Sequence, residues 1–465
     1  MPKKAPIAAV VLAAGKGTRM KSRVPKVLHP CCELPLVVRV VKSALARGYG
    51  PVVVVIDPAG GRVRDVLTAH FPDAELVFAV QKEQKGTGDA LRAGLSAIPK
   101  FSGLLVTLYG DVPLLRPQTL SRLEKSAGKS MLSLLTARVS DPTGYGRVVQ
   151  EGQQVQRIVE HKDATAEELQ IDDINVGVYC ADVELYRETV KRLKSDNQQK
   201  ELYLTDVVEI ASGRGPTRAV RVEDPDEIRG INTRVELAEA ERTLRGWLVE
   251  AHQRNGVTFR DPASVILSEN VSLGRDVLVG AGVQFYGTVK VGAGSRIEGP
   301  TVIKNAELAG DVKVEAFSHV EGAKLGRSVT VGPYARIRPD SQLDEGSRVG
   351  NFVELKKTRL GKGAKANHLS YLGDASIGAD SNVGAGTITC NYDGFRKHQT
   401  RLGKNVFVGS NSTLVAPVNV GNDGYVGAGS VVTEDVPGGT LALGRSRQTN
   451  KRGYAKRLRE KLKKE

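Results

Sequence analysis

The chain has 465 residues, 26% of them charged and 40% hydrophobic, and a net charge of +15. That length calls for two or three domains, the composition is that of a folded soluble protein rather than a disordered one, and the positive balance favours anionic partners such as phosphorylated small molecules, nucleic acid or an acidic membrane surface. Aromatic residues make up only 5%, which argues against a large base-stacking surface and hence against a nucleic-acid partner of that kind.

The N-terminus, MPKKAPIAAVVLAAG, imitates a secretory leader, with two lysines before an apolar run. The run is short and leads at once into a glycine-rich basic loop, so a buried first strand over Ile7–Ala13 is the expectation. No run of 18 or more apolar residues follows, so no membrane span is expected. The four cysteines, Cys31, Cys32, Cys180 and Cys390, form neither a CxxC pair nor a zinc-spaced cluster. They read as reduced thiols of a cytoplasmic protein.

The loop itself, LAAGKGTRMKSRVPKVLHP over Leu12–Pro30, has the chemistry of a phosphate site. Gly15 and Gly17 let backbone N–H groups approach an anion, because no Cβ stands in the way. The spacing is not that of a P-loop, and the third glycine of a dinucleotide fingerprint is missing. Arg19 and Lys26 instead supply two cations to set against a triphosphate, which suggests that a nucleotide is split at its α-phosphate.

Strand-like runs continue at Val52–Asp57, Leu76–Val80, Leu104–Leu108 and Met131–Arg138, with helical stretches such as Pro35–Arg47 and Thr87–Ala97 between several of them. Alternation of this kind implies an α/β domain on a largely parallel sheet, with ligands at the carboxyl ends of the strands. Over Thr233–Arg254 a charged segment with spaced Val235, Leu237, Ala238, Leu244 and Leu248 reads as a helical connector capped by Thr233.

Beyond about Asp261 the chain repeats. Glycines fall at 274, 280 and 292, at 326, 332 and 350, and at 403, 409, 421 and 427, spaced by six residues or multiples of six. That period marks a left-handed parallel β-helix of hexapeptides, three to a triangular coil, with aliphatic side chains inward and small residues at the corners. Between Gly384 and Gly403 the stretch AGTITCNYDGFRKHQTRL breaks the register, and a loop inserted there, carrying Asn391, Tyr392 and Asp393 with His368 and Tyr371 nearby, is expected on the binding face. The tail NKRGYAKRLREKLKKE is strongly basic and reads as a solvated helix or a disordered end. The boundaries expected are 1–232 for the first domain, 233–255 for the linker, 256–445 for the solenoid and 446–465 for the tail.

LAAGKGTRM…PK resembles the signature of sugar-nucleotide pyrophosphorylases. QKEQKGTGD at Gln81–Asp89, YGD at Tyr109–Asp111, GYGR at Gly144–Arg147, EHKD at Glu160–Asp163, NVG from Asn175 and GINT at Gly230–Thr233 follow in order. With HLSYLGD and ITCNYDG in the solenoid, nearly all of residues 5–450 is similar to one bacterial family. Its members are bifunctional, an N-acetylglucosamine-1-phosphate uridyltransferase joined to a glucosamine-1-phosphate acetyltransferase. The resemblance implies a Rossmann-like nucleotidyltransferase domain followed by the β-helix, a homotrimer, and synthesis of UDP-N-acetylglucosamine, the precursor of cell-wall and lipopolysaccharide sugars.

The resemblance also implies roles. Leu12, Ala13, Ala14, Gly15, Arg19, Lys26, Gln81, Gly86, Thr87, Tyr109, Gly110 and Asp111 would bind UTP, with Gln81, Gly86 and Thr87 reading uracil. Asp111 and Asn232 would hold Mg²⁺, and Gly146, Glu160, Asn175 and Asn232 the sugar phosphate. In the solenoid His368 would be the general base for acetyl transfer. Arg338, Lys356, Tyr371 and Asn382 would bind the acceptor sugar phosphate. Asn391, Tyr392, Ser410, Ala428 and Arg445 would bind acetyl-CoA, the first two also close to the acceptor. Two departures from the family pattern are visible: Asp89 stands where GTGHA-type relatives have histidine, and Arg445-Ser446-Arg447 stands for Arg-Val-Pro. Two other readings remain open here: a nucleotidyltransferase whose β-helix only regulates or oligomerises, and a non-enzymatic scaffold.

Overall fold

The computed structural model describes residues 5–464. Contacts divide the chain into two compact units, one reaching to Leu244 and the other starting at Arg245.

In the first unit the apolar runs form the centre of a mixed sheet. The strands that matter are β1 (Ile7–Leu12), β2 (Val52–Ile56), β3 (Leu76–Val80), β4 (Leu104–Tyr109), β5 (Leu132–Arg138), β6 (Arg147–Glu151), β7 (Gln154–Val159), β8 (Asp173–Asp182) and β9 (Thr217–Arg221). Their order is β9-β5-β8-β4-β1-β2-β3, with β6 and β7 as a hairpin reached through β8. β1 lies parallel to both β2 and β4, and all six of its residues are buried, as a strand covered on both faces requires. β8 is the exception, antiparallel to β4 and to β5. Helices α1 (Leu36–Ala46), α2 (Gly61–His70), α3 (Thr87–Ser96) and α4 (Pro117–Ala127) follow the first four strands in turn. The sheet leaves one hydrophobic cluster around Val37, Val41, Val54 and Leu120 and another around Val10, Val53, Leu91 and Leu105.

The connector is a single helix, Arg234–Arg254. Its N-terminus is a capping box: Thr233 Oγ1 accepts from the Glu236 N–H at 3.2 Å, and Glu236 Oε2 accepts from the N–H groups of Thr233 and Asn232 at 2.7 and 2.6 Å. Those donors would otherwise be unpaired at a helix start.

The second unit is a triangular prism of three parallel sheets, with 11, 9 and 9 strands among the described residues. One coil takes 17 or 18 residues, so Arg296 lies beside Lys313 and Val271 beside Val289. Aliphatic side chains of successive coils point inward and stack into columns, one of which runs Val291, Leu308, Leu325, Leu343 and Leu360. Such columns form the core of the prism and account for the inward half of the repeat. Whereas Gly332 itself takes a positive φ of +97°, Gly409 serves close approach rather than conformation, since a Cβ there would clash with the Ala428 backbone of the next coil. The left-handed backbone falls two residues later, as at Asn405, Asn411 and Asp423, residue types that tolerate it. The insertion is visible in the register, since Ser376 lies beside Arg401 and Asn382 beside Phe407, a coil of 25 residues. The tail forms an exposed helix, Tyr454–Leu462.

Candidate functional site

In the first unit the carboxyl ends of β1 and β4, together with the turn after β3, line a cavity of about 470 Å³. Leu12, Ala13, Ala14, Gly15, Lys26, Gln81, Gly86, Thr87, Tyr109 and Asp111 all border it, and Lys16, Gln84 and Glu201 join them without having been singled out from the sequence. A Cβ on Gly15 would meet no protein atom, whereas one on Gly17 would clash with the Lys26 Cβ. Gly17 therefore allows the loop to fold over Lys26, and Gly15 leaves the loop backbone open. Gly110 closes against β1 by donating its N–H to the Leu12 carbonyl at 2.9 Å. Arg19 lies exposed on the Thr18–Met20 turn, outside the lining residues.

The charged centre is built from three distant parts of the chain. Lys26 Nζ donates to Asp111 Oδ2 at 2.5 Å and to Asn232 Oδ1 at 3.0 Å. Asn232 is held there because Ile231 donates its N–H to the Asp111 carbonyl and because Glu236 accepts the Asn232 N–H. Two side-chain oxygens thus converge on one cation.

A second group lies around β6–β8. Asn175 donates its N–H to the Gly146 carbonyl at 2.8 Å, and a Cβ on Gly146 would lie 3.5 Å from Glu160 and 3.6 Å from the Asn175 Cβ. Asn175 Oδ1 accepts from the Gly177 N–H and the Tyr179 hydroxyl, which fixes its amide. Gly177 has φ +79°, and a Cβ there would strike the Tyr109 ring. Burial pushes the Glu160 carboxyl pKa up, against a hydrogen bond from Thr205 that lowers it. Glu160 also borders a cavity of about 360 Å³ shared with Asp163, Tyr203 and Asp206.

In the second unit His368 is exposed at a prism corner, and its Nδ1 pairs with Asn351 Oδ1 at 2.7 Å. An oxygen at Nδ1 places the proton there and leaves the Nε2 lone pair open. Asn351 and His368 are register partners, and the same register carried through Asn382, Phe407 and Tyr425 sets Ala385, Ser410 and Ala428 in turn along that corner. Asn351 and Ala385 escaped the sequence reading, because only coil register shows that they share the corner. Asn382 is half-buried one coil beyond Lys365, and Arg445 is exposed near Gly429.

On the adjoining face Arg338 donates to Glu354 at 2.8 Å. The Lys397 charge lowers the Lys356 pKa, with desolvation and the Arg338 charge adding to the effect. Three cations so arranged repel one another and favour an anion. Lys397, which comes from the inserted loop and lies over the Tyr392 ring at 5.0 Å, was not singled out from the sequence. Asn391 is buried and donates to Asp374 at 2.5 Å, and a Cβ on Gly373 would strike both Asn391 and the Tyr371 hydroxyl. Within the loop two backbone N–H groups and His398 hold the Asp393 carboxyl well below the usual range.

Residues 9–167 match the MobA-like NTP transferase domain family, and residues 399–434 match the hexapeptide repeat of succinyl-transferase. Three proteins, each named bifunctional protein GlmU, are similar over the whole length. That of Sorangium cellulosum (strain So ce56) is 44% identical, with 98% of this chain and 98% of the relative covered. That of Anaeromyxobacter sp. (strain Fw109-5) is 46% identical, with 97% and 93% covered. That of Acinetobacter baumannii (strain AYE) is 42% identical, with 98% and 99% covered.

Proposed function

The chain belongs to the bifunctional GlmU family, and from that premise we propose that its two units catalyse two successive transfers. The β-helix unit moves acetyl from acetyl-CoA to glucosamine 1-phosphate. The α/β unit then joins N-acetylglucosamine 1-phosphate to the uridylyl group of UTP and releases pyrophosphate.

The observation that carries the first-unit reading is the convergence of Lys26, Asp111 and Asn232 at the open end of β1 and β4. Mg²⁺ fits Asp111 and Asn232, since both are hard oxygen donors already turned to a cation, and this ion takes few protein ligands beside phosphate and water oxygens. Bound there, it would neutralise charge on the triphosphate. Lys26 adds positive charge for the transferring group. Gln81, Gly86 and Thr87 hold the base, and Gly146, Glu160 and Asn175 the sugar, whose hydroxyls find an acceptor in Glu160. An oxygen of the sugar phosphate forms a bond to the α-phosphorus as the bond to pyrophosphate breaks, so orientation and charge neutralisation carry the catalysis.

In the second unit His368 Nε2 takes the proton of the glucosamine amine as the amine attacks the thioester, and the CoA thiolate leaves. Asn351 supports this by holding the tautomer. Arg338, Lys356 and Lys397 receive the sugar phosphate, with Tyr371, Asn382 and Asn391 around the acceptor. Ser410, Ala428, Tyr392 and Arg445 line the acetyl-CoA path along the His368 corner. A homotrimer assembled through the β-helix is part of this reading. Its support is a stack of Phe317, Tyr334 and Phe352, centroids 4.9 and 5.4 Å apart, left 54%, 48% and 56% exposed. The four cysteines are thiols outside any disulfide, which accords with a cytoplasmic setting.

The test is to supply glucosamine 1-phosphate with acetyl-CoA and follow thiol release, and to supply N-acetylglucosamine 1-phosphate with UTP and follow pyrophosphate. His368→Ala is expected to abolish only the first activity and Asp111→Ala only the second. Loss of both in either folded variant contradicts two separate sites.

A further inference from the structure

Gln81 is buried at the end of β3, its backbone N–H donated to the Ile56 carbonyl at 2.9 Å. The residue borders the nucleotide cavity. An amide has a donor end and an acceptor end, and what it reads depends on which end faces the ligand. Here Nε2 donates to the Gly86 carbonyl at 3.1 Å and to Asp89 Oδ2 at 3.0 Å. Both partners are acceptors, so the NH₂ group must lie toward them and the carbonyl oxygen must be the end offered to the cavity. Asp89 stands in the first turn of α3, where the helix N-terminus favours a carboxylate. The turn between them is clamped: Gly86 has φ +108°, a Cβ there would sit 2.7 Å from the Leu202 carbonyl oxygen, and Gly88 donates its N–H to that oxygen.

We infer that Asp89 is a positioning residue for base selection: by fixing the Gln81 amide it presents an acceptor to the base, and so favours a pyrimidine carrying an N3–H donor over one with a bare N3. Uracil offers that N–H, whereas cytosine seated in the same way would set its N3 lone pair against the Gln81 oxygen. Histidine at position 89, the pattern of GTGHA-type relatives, has both a donor and an acceptor nitrogen and would leave the amide freer to turn. A carboxylate accepts only, and it adds a charged acceptor to the Gly86 carbonyl in holding the NH₂ end. The inference rests on the reading that Gln81 meets the base of the nucleotide.

The experiment measures pyrophosphate release from UTP and from CTP with N-acetylglucosamine 1-phosphate, in full-length protein. Asp89→Asn is expected to lower the UTP/CTP ratio of kcat/KM roughly tenfold, the scale of one charge-assisted hydrogen bond, through a higher KM for UTP with kcat little changed. Asp89→His is expected to lower it less and provides a second variant if the first does not fold. The UTP kcat of each variant, expected to stay near the parent value, reports folding of the first unit, and acetyl transfer, expected to stay unchanged, reports the second. Gln81→Ala is the control on the underlying reading and is expected to erase the preference. If Gln81→Ala erases it while both Asp89 variants keep the full ratio, the positioning role is overturned and the base site stands. If Gln81→Ala leaves the preference intact, the base site and the inference fall together.

Discussion

Asp206 carries a carboxyl that its surroundings disfavour as an anion. Burial raises its pKa most, and Glu209, Glu160 and Asp163 add repulsion, bringing it to about 6. The cavity they share is also bordered by Arg157 and Lys194. Between the ordinary carboxylate range and pH about 6 the folded chain holds a proton that the unfolded chain has released, so stability falls as pH rises through that window. Asp206→Asn is therefore expected to raise the apparent Tm at pH about 7.5 and to give little gain at pH about 4, where the native carboxyl is already protonated. Thermal melts across that range check it, and a gain independent of pH would refute the assignment. At this scale the sequence named Lys26, Asp111 and Asn232 but not their contact. Lys26 meets partners 85 and 206 positions away, separations over which no local pattern acts.

The connector helix shows how an element can serve a site it does not belong to. Thr233 as a cap was legible, because Thr-x-x-Glu before a helical run is a local signature. That Glu236 also accepts the Asn232 N–H became visible only in three dimensions. Glu236→Ala is expected to cost about 1 kcal/mol, the usual effect of a lost cap, and to slow uridylyl transfer while leaving acetyl transfer unchanged. Denaturation and the two assays check both parts, and equal loss of the two activities would separate Glu236 from the nucleotide site. The strand elements divide in the same way. β1, β2 and β3 were readable as apolar runs, whereas the antiparallel direction of β8 was not, because apolar patterning encodes burial and not strand polarity.

The solenoid presents its question at the level of the whole molecule. Phe317, Tyr334 and Phe352 stack in left-handed corner positions with about half their surface exposed, an apolar column without cover in the single chain. If the column is the contact of the proposed trimer, Phe352→Asp is expected to give smaller species than the parent in sedimentation and to lower acetyl transfer, with uridylyl transfer kept. An unchanged sedimentation coefficient would rule this column out as the assembly contact.

The sequence alone determined the two-part architecture, the six-residue period and the chemical kinds of group at each site, because helix and strand periodicity, coil repetition and loop composition are local properties of a chain. Only the tertiary structure decided which of those groups meet. The Lys26–Asp111–Asn232 centre, the Asn351–His368 pair on one corner, the Lys397 charge beside Lys356 and the Asp89 grip on Gln81 all depend on register and packing. Contacts of that kind follow from how buried faces stack, and that is set by the whole fold rather than by any one segment.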